Sequence, residues 1–403
     1  MDLMVLLETL SVPRPGHSPA LKQTAAMIRE LLTAWNIPFT EQVFSLRYHQ
    51  NFLMGLSILI LSSLFALFIL RRKPLPAFIA VAAIVLMLVL EVEFSVPTVS
   101  ALIQKPTENI IITHTVPDAA RELIFTAHYD SKTDFWDHIQ RSYIQKRFPF
   151  FLVLCLLLCL WAFLANRMAF LRLMPFRLGA WLLTASYVIY AGFAFSWLGG
   201  YMLMDEHSQS FGTIDDGASV LVLLAMAKDI REGRVDTGDS NITILLTSGE
   251  ETGLHGARWY VKQRYDNGRI APLRPTALIS LELIGQNGNL YYATSTSSGL
   301  FRSYKSDPVL AERLNKVWKG MTGNPMTVIS GGINDAFPFL AAGIPSLTIG
   351  HDGNPGSGYG GFHSIQDNMA RANPANIALG IKVLEKFIES YPPQPADRSS
   401  GSG

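Results

Sequence analysis

Charge is what this sequence has least of. Of its 403 residues only 16% are charged while 49% are hydrophobic, against a charged fraction of about 25% in soluble domains. That deficit points to a membrane. The formal net charge is +1, so neither sign dominates, and nothing calls for nucleic acid or a strongly acidic partner. Cysteine is nearly absent as well. The two present, Cys155 and Cys159, lie in one apolar run, and four residues apart they share one face of a helix. This argues against a disulfide framework and a thiolate metal site, and leaves two small apolar helix residues. There is no P-loop, HExxH or GxSxG motif. The opening MDLMVLLETLSVPRPG has no basic stretch, its apolar run is short, and Asp2 and Glu8 interrupt it. It does not read as a signal peptide, so internal segments would have to direct any membrane insertion.

Such segments are present. Residues 18–36 first form an amphipathic helix, with Leu21, Ala25, Ile28, Leu31 and Leu32 on its apolar face and Pro19 at its start. Residues 52–70 then carry no charge, and as a helix they span roughly 28 Å, close to the thickness of a hydrocarbon core. Arg71, Arg72, Lys73 and Pro74 separate them from a second uncharged run to Leu90, which predicts a helical hairpin. A second pair follows: 148–165, a stretch bearing Arg167, Arg172 and Arg177, and 178–204. Buried helices of a soluble protein, or a re-entrant segment, are the alternatives. An even number of spans returns the chain to one side. The basic hairpin turns place themselves in the cytoplasm and the rest outside by the positive-inside rule, against the opposing pull of Arg141, Lys146 and Arg147.

Between and after these blocks the pattern is that of an α/β domain. NIIITH (109–114), LIFTAHYD (123–130), NITILLTS, ALISLEL and PSLTIG read as strands. Helical stretches alternate with strands as far as Tyr391, and the Pro- and Ser-rich tail reads as disordered.

Several strands end in groups that could hold metal. His128 closes LIFTAHYD, with Asp130 two residues on. A ligating imidazole donates its second N–H to an oxygen, and Asp130 or a backbone carbonyl could accept it. Asp215 and Asp216 stand before the helix 217–230, as ligands or as helix caps, and Gly212 lets the backbone come close. Glu250 and Glu251 follow the strand ending at Ser248. Adjacent carboxylates at a sheet edge call for a cation or a proton, unless they are solvated caps of the next helix. Glu282, between Leu281 and Leu283, needs a metal or a buried Arg or Lys. His363 lies in a glycine-rich loop with Asp367 four residues on, and Asp335 precedes a short helix. His255 reads as structural.

In this order and separated by strands, the segments HYDS, GTIDDGAS, SGEETGLHGA, SLELIG, NDAFPFLAAGIPSL and FHSIQD resemble the M28 family of zinc peptidases. The stretch LSVPRPGHSPALKQTAAMIRELL resembles the helix that opens that domain. The likeness excludes the two hydrophobic blocks. It implies one three-layer α/β/α domain around a mixed, largely parallel sheet, here with about four inserted transmembrane helices. It implies two Zn2+ ions, one held by His128 and Glu282, the other by Glu251 and His363, with Asp215 bridging them. Glu250 is then the general base and Asp130 the partner of His128. The family usually has Asp where this chain has Glu282, which bears on the geometry at the first ion. The separation of His128 from Asp215 is also longer than usual, so the second hydrophobic block is expected to emerge near the active-site rim.

The expected protein is therefore a multi-pass, membrane-anchored two-zinc aminopeptidase that acts on peptides beside a lipid bilayer, with its catalytic domain extracytoplasmic. The expected segments are peptidase domain at 1–50, 98–147 and 205–392, hairpins at 51–97 and 148–204, and a tail at 393–403. Two alternatives stand beside it: a one-zinc enzyme like the glutaminyl cyclases, and a non-catalytic peptidase-like membrane protein. A transporter finds little support, because the spans carry almost no polar residues.

Overall fold

The computed structural model of the chain describes residues 2–47, 49–71, 73–133, 153, 155–157, 159, 160, 163, 209–353 and 361–391. The chain divides into two compact units. One comprises residues 1–46, 106–132 and 210–403, the other 47–105 and 133–209.

The first unit is built on an eight-stranded sheet. Its strands are β1 (Phe39–Leu46), β2 (Lys105–His114), β3 (Arg121–His128), β4 (Ser240–Thr247), β5 (Thr276–Leu281), β6 (Leu290–Ala293), β9 (Thr327–Ile329) and β10 (Ser346–His351), while β7 (Ser295–Ser297) and β8 (Ser303–Lys305) pair apart. The spatial order is β1-β2-β4-β3-β5-β10-β6-β9. The four central strands, β4, β3, β5 and β10, are mutually parallel, and β2 and β6 flank them antiparallel. This matches the expected mixed, largely parallel sheet.

Residue alternation explains why helices cover both faces. Along β3, Leu123, Phe125 and Ala127 point into one apolar cluster and Ile124 into the other, as the two-residue period of a strand requires. Ile242, Ile244 and Leu246 of β4 and Ile279 and Leu281 of β5 join the first cluster, and Leu245 and Leu278 the second. The first face is covered by α1 (Leu3–Leu10), α2 (Pro19–Ala34), α5 (Ala218–Arg231), α7 (Pro308–Thr322) and α9 (Pro374–Glu389). The second is covered by α6 (His255–Tyr265) and α8 (Ala336–Ala341). A strand covered on both sides has no solvated face, which is why the central strands read as continuous apolar runs. Helix α2 starts where Ser18 accepts the N–H of Leu21 and Pro19 takes the first turn.

The second unit holds α3 (Gln50–Leu70) and α4 (Pro74–Leu88), which pack on one another as a hairpin. Each buries one stripe: Met54, Ile58, Phe65 and Ile69 on α3; Ala77, Ala80, Val81, Ile84 and Leu88 on α4. The opposite faces leave Leu56, Ile60, Leu64, Leu67, Leu75, Phe78, Ile79 and Leu86 exposed. Phe52–Leu70 and Pro74–Glu93 are long and apolar enough to cross a membrane. The hairpin's exit is organised by a buried carboxylate. Glu91 accepts from the backbone N–H and hydroxyl of Thr98 (2.6 and 2.7 Å) and of Ser100 (3.0 and 2.6 Å), with Arg47 3.7 Å away.

Thus two such helices occur among the described residues, where about four were expected. The other two expected spans, within 148–204, lie almost wholly outside the described residues, as do Arg141, Lys146, Arg147, Arg167, Arg172, Arg177 and the tail. Of that block, Val153, Cys155, Leu156, Leu157, Cys159, Leu160 and Phe163 are helical. Both cysteines are buried, with free thiols.

Candidate metal centre

Because β3, β4, β5 and β10 run parallel, their C-terminal ends meet at one edge of the sheet, where ligands bind in α/β folds. His128, the last residue of β3, stands in register with Thr247, the last of β4. Glu250 and Glu251 follow β4 by a short turn, and Glu282 follows β5 directly. The remaining two groups arrive from loops: Asp215 from just before α5, and His363 from a turn where it adopts φ 60°. Leu283, beside Glu282, adopts φ 59°. Left-handed backbone is uncommon for residues with side chains, and two instances flank or carry the candidate ligands.

The structure brings all six predicted metal and base residues together. Asp215 is central. Its Oδ1 lies 3.2 Å from His128 Nε2, and its Oδ2 lies 3.2 Å from His363 Nε2. On the His128 side, Glu282 Oε2 is 3.9 Å and Glu250 Oε2 4.0 Å from Nε2. On the His363 side, Glu251 Oε1 is 3.2 Å from Nε2. Potential ligand atoms of His128, Asp216 and Glu282, and of His128, Asp215 and Glu251, lie within 4.8 Å of one another.

Asp130 differs in detail from the expected pairing. The nearer acceptor to His128 Nδ1 is the backbone carbonyl of Asp130 at 3.1 Å, while its carboxylate is 3.7 Å away. That carboxylate instead accepts the backbone N–H groups of Glu250 and Glu251, both at 3.3 Å, and so fixes the turn that carries the two glutamates. Asp367 acts likewise on another loop, accepting from Ile214 (2.8 Å) and Asp215 (3.2 Å). Asp216 accepts the N–H groups of His128 (3.4 Å) and Leu283 (3.2 Å), tying the ends of β3 and β5. Asp335 takes the hydroxyl of Thr247 at 2.5 Å.

Two residues that the sequence did not single out complete the frame. Arg14 is wholly buried and spends its guanidinium on backbone carbonyls: Tyr129 and Leu10 at 2.7 Å, Phe211 at 2.7 Å, Gly212 at 2.8 Å and Val12 at 3.1 Å. It thereby holds the end of β3 against the loop that leads to Asp215. Gly212, at φ 57°, is needed there, since a Cβ would stand 2.6 Å from Ser131 Cβ and 3.0 Å from the guanidinium. The second residue is Lys132, whose Nζ lies 3.5 Å from Glu251 Oε2. No local signal marks either one, because their partners are distant in sequence.

The electrostatics of the site are those of crowded carboxylates. Burial pushes Glu250 and Glu282 well above the ordinary carboxylate range, with neighbouring carboxylates adding to it. Burial also raises Asp130 to about 6 and Asp367 to about 7. For Asp215 burial acts in the same direction, but His128 and His363 outweigh it and hold the group well below its usual range. For Glu251, burial is outweighed by His363 and Lys132. His128 is raised well above 6.5 because its carboxylate partners overcome its burial. His128 Nε2, Glu251 Oε1 and Glu282 Oε1 are buried without an adequate hydrogen bond. Imidazole nitrogen and carboxylate oxygen donors with unsatisfied buried atoms, converging in one place, fit divalent zinc.

A parallel-centred α/β/α sheet with a carboxylate–imidazole cluster at its C-terminal edge defines the zinc-exopeptidase type of fold, and known structures share it. Fimbriiglobus ruber glutaminyl cyclase superposes with a TM-score of 0.54 at 13% identity, over 96% of this chain and 93% of that one. The zinc aminopeptidase BSAP from Bacillus subtilis gives 0.53 at 13%, over 96% and 93%. A Zn-dependent exopeptidase from Parabacteroides distasonis gives 0.53 at 13%, over 97% of both. At such identities the likeness establishes the fold. No curated protein sequence matches the chain. Residues 203–387 match the model of peptidase family M28.

Proposed function

We propose that the chain is a membrane-anchored, two-zinc aminopeptidase. The observation that carries this reading is the divided carboxylate of Asp215, which offers one oxygen to each imidazole at 3.2 Å. That is the disposition of a bridging ligand. Glu282 would complete the His128 half, and Glu251 the His363 half. Glu282 has a longer side chain than the aspartate usual in the family, yet its carboxylate still comes within 3.9 Å of His128 Nε2.

Bound zinc supplies Lewis acidity, making water a nucleophile near neutral pH and polarising the scissile carbonyl. The rest is done by the chain. Glu250 sits among the ligands without being needed as one, and receives the proton of the attacking water. It then passes that proton to the leaving amine. Its pKa, raised by burial and neighbouring carboxylates, suits a group that must both take up and release a proton. Asp130 holds the Glu250–Glu251 turn in place through its two backbone acceptor contacts, and its carbonyl sets the orientation of His128.

The peptidase domain would comprise 1–50, 98–147 and 205–392, interrupted by membrane hairpins at 51–97 and 148–204. The exposed apolar faces of α3 and α4 would meet lipid. The basic residues of both turns would lie in the cytoplasm and the catalytic domain outside.

The test is incubation of the detergent-purified chain with peptides of free N-terminus, read by mass spectrometry. Loss of single N-terminal residues, abolished by a chelator and restored by Zn2+, supports the proposal. Ring closure of N-terminal glutamine without hydrolysis would replace it with a cyclase. Inertness in every assay would favour a non-catalytic role.

A further inference from the structure

Glu282 is the candidate ligand whose own contacts direct it least. Among the described residues its Oε1 is buried without a hydrogen bond, and its Oε2, 3.9 Å from His128 Nε2, is beyond hydrogen-bond reach. Asp215, by contrast, meets an imidazole on each oxygen at 3.2 Å. The direction of the Glu282 side chain therefore depends on its backbone, and the backbone turns sharply there. The N–H of Glu282 still donates to Ile349 O of β10 at 2.9 Å, but the next residue, Leu283, takes φ 59°. A left-handed turn at such a residue persists where its surroundings impose it.

Three successive backbone N–H groups after Glu282 are met by side chains. Leu283 donates to Asp216 at 3.2 Å, Ile284 to Ser219 Oγ at 3.3 Å, and Gly285 to His351 Nδ1 at 3.2 Å. His351, at the end of β10, also binds the turn with its main chain. Its N–H donates to Leu283 O at 3.3 Å, and its carbonyl accepts from Gln286 Nε2 at 2.6 Å. Those two bonds do not need the imidazole; the bond to Gly285 does. Accepting at Nδ1 puts the ring proton on Nε2, and burial keeps the ring neutral, its pKa lowered to about 4. Gly285 is buried, and a Cβ on it would stand 2.6 Å from Ile377 Cγ1 and 3.2 Å from Ala218 Cβ. The loop therefore has no space to retreat towards α5 and α9. Without the imidazole acceptor a buried N–H is left unpaired beside the turn at Leu283, and rotating the peptide to relieve it re-aims Glu282.

We propose that His351 is a positioning residue for metal binding: through Gly285 and the turn at Leu283 it aims Glu282 at the ion shared with His128 and Asp215. It acts through the backbone and is not itself a ligand. This rests on the two-zinc reading above. A histidine that merely filled space would not distinguish one amide side chain from another. One that positions through Nδ1 is replaced by Asn, whose Oδ1 stands at the same branch, and not by Gln, whose polar atoms lie one bond further out.

The test is a Zn2+ titration of the chelator-stripped, detergent-solubilised full chain, in competition with a chromophoric chelator. It compares wild type, His351→Asn, His351→Gln, Glu282→Ala and the double variant of Glu282→Ala with His351→Gln. His351→Gln should weaken one binding step at least about tenfold and move the other less than about threefold. His351→Asn should keep both steps within about threefold of wild type, even though its fold is less stable. With Glu282→Ala already in place, His351→Gln should move the constant of the remaining ion less than about threefold. A loss in His351→Asn equal to that in His351→Gln overturns the proposal, and so does an undiminished effect of His351→Gln in the double variant. Should His351→Gln not fold, hydrogen exchange of the wild type decides: exchange across 283–286 should slow when zinc binds, and no change overturns the proposal. If the wild type takes up fewer than two ions, the two-zinc reading falls and this inference with it. If it takes up two and His351→Gln alters neither, only this inference falls.

Discussion

His351 offers a stability test that does not depend on catalysis. It ends β10, is wholly buried, and accepts the backbone N–H of Gly285 on Nδ1 at 3.2 Å. Among the described residues its Nε2 has no hydrogen-bond partner, and the ring meets Trp318 edge-on with centroids 6.3 Å apart. Burial depresses its pKa from 6.5 to about 4, with Asp352 opposing weakly. The unfolded chain therefore binds a proton between these values that the folded chain refuses. The contribution to stability is fully present above pH 6.5 and is lost as pH falls towards 4. The gap amounts to about 2 kcal/mol by pH 5 and about 3 kcal/mol by pH 4. Replacing His351 with Asn keeps an acceptor for Gly285 but removes the titrating group. The variant should be less stable than wild type at pH 7, because the smaller side chain leaves space. That deficit should shrink by about 2–3 kcal/mol on going to pH 4. Urea unfolding of both proteins, stripped of metal and measured at pH 7, 5 and 4, reads the difference directly. A wild-type-minus-variant difference that stays flat across this range would refute the reasoning, since it would mean that the folded protein protonates His351 as readily as water does.

Three further outcomes are expected. Glu250→Gln should lower kcat about 10²–10⁴-fold with zinc content unchanged; activity within a few-fold of wild type would remove Glu250 from the role of base. Glu282→Ala should reduce bound zinc from about two ions per chain to about one, as measured by elemental analysis, and an unchanged content would take Glu282 out of the ligand set. Arg14→Met takes a donor away from five carbonyls, of which those of Leu10 and Gly212 keep a backbone N–H, and should cost about 3–5 kcal/mol in denaturant unfolding. A loss below about 1 kcal/mol would show that water or neighbouring groups take over those carbonyls.

Much of this was legible in the sequence because it is written in local patterns. Nineteen uncharged residues from Phe52 to Leu70 leave few options but a long apolar helix. The short apolar runs around Phe125, Leu245 and Ile279 become strands covered on both faces, and their polar ends become the site. The candidate ligands could be named because each sits at a strand end or helix start, where a buried carboxylate or imidazole needs a reason. What the sequence could not reveal were roles that exist only across the fold. Arg14 acts on carbonyls as far away as Phe211 and Gly212, and nothing in VPRPG announces that. Asp130 could serve His128 through its side chain or its backbone, and only the turn after β4, which claims the carboxylate through two N–H groups, sends His128 to the carbonyl. Lys132 follows a motif residue by two positions yet draws its meaning from Glu251, 119 residues on. Pattern sets which groups are buried and at which strand ends they stand. Distance and direction between those groups, on which charge and coordination depend, arise only when the parallel strands bring their ends to one edge.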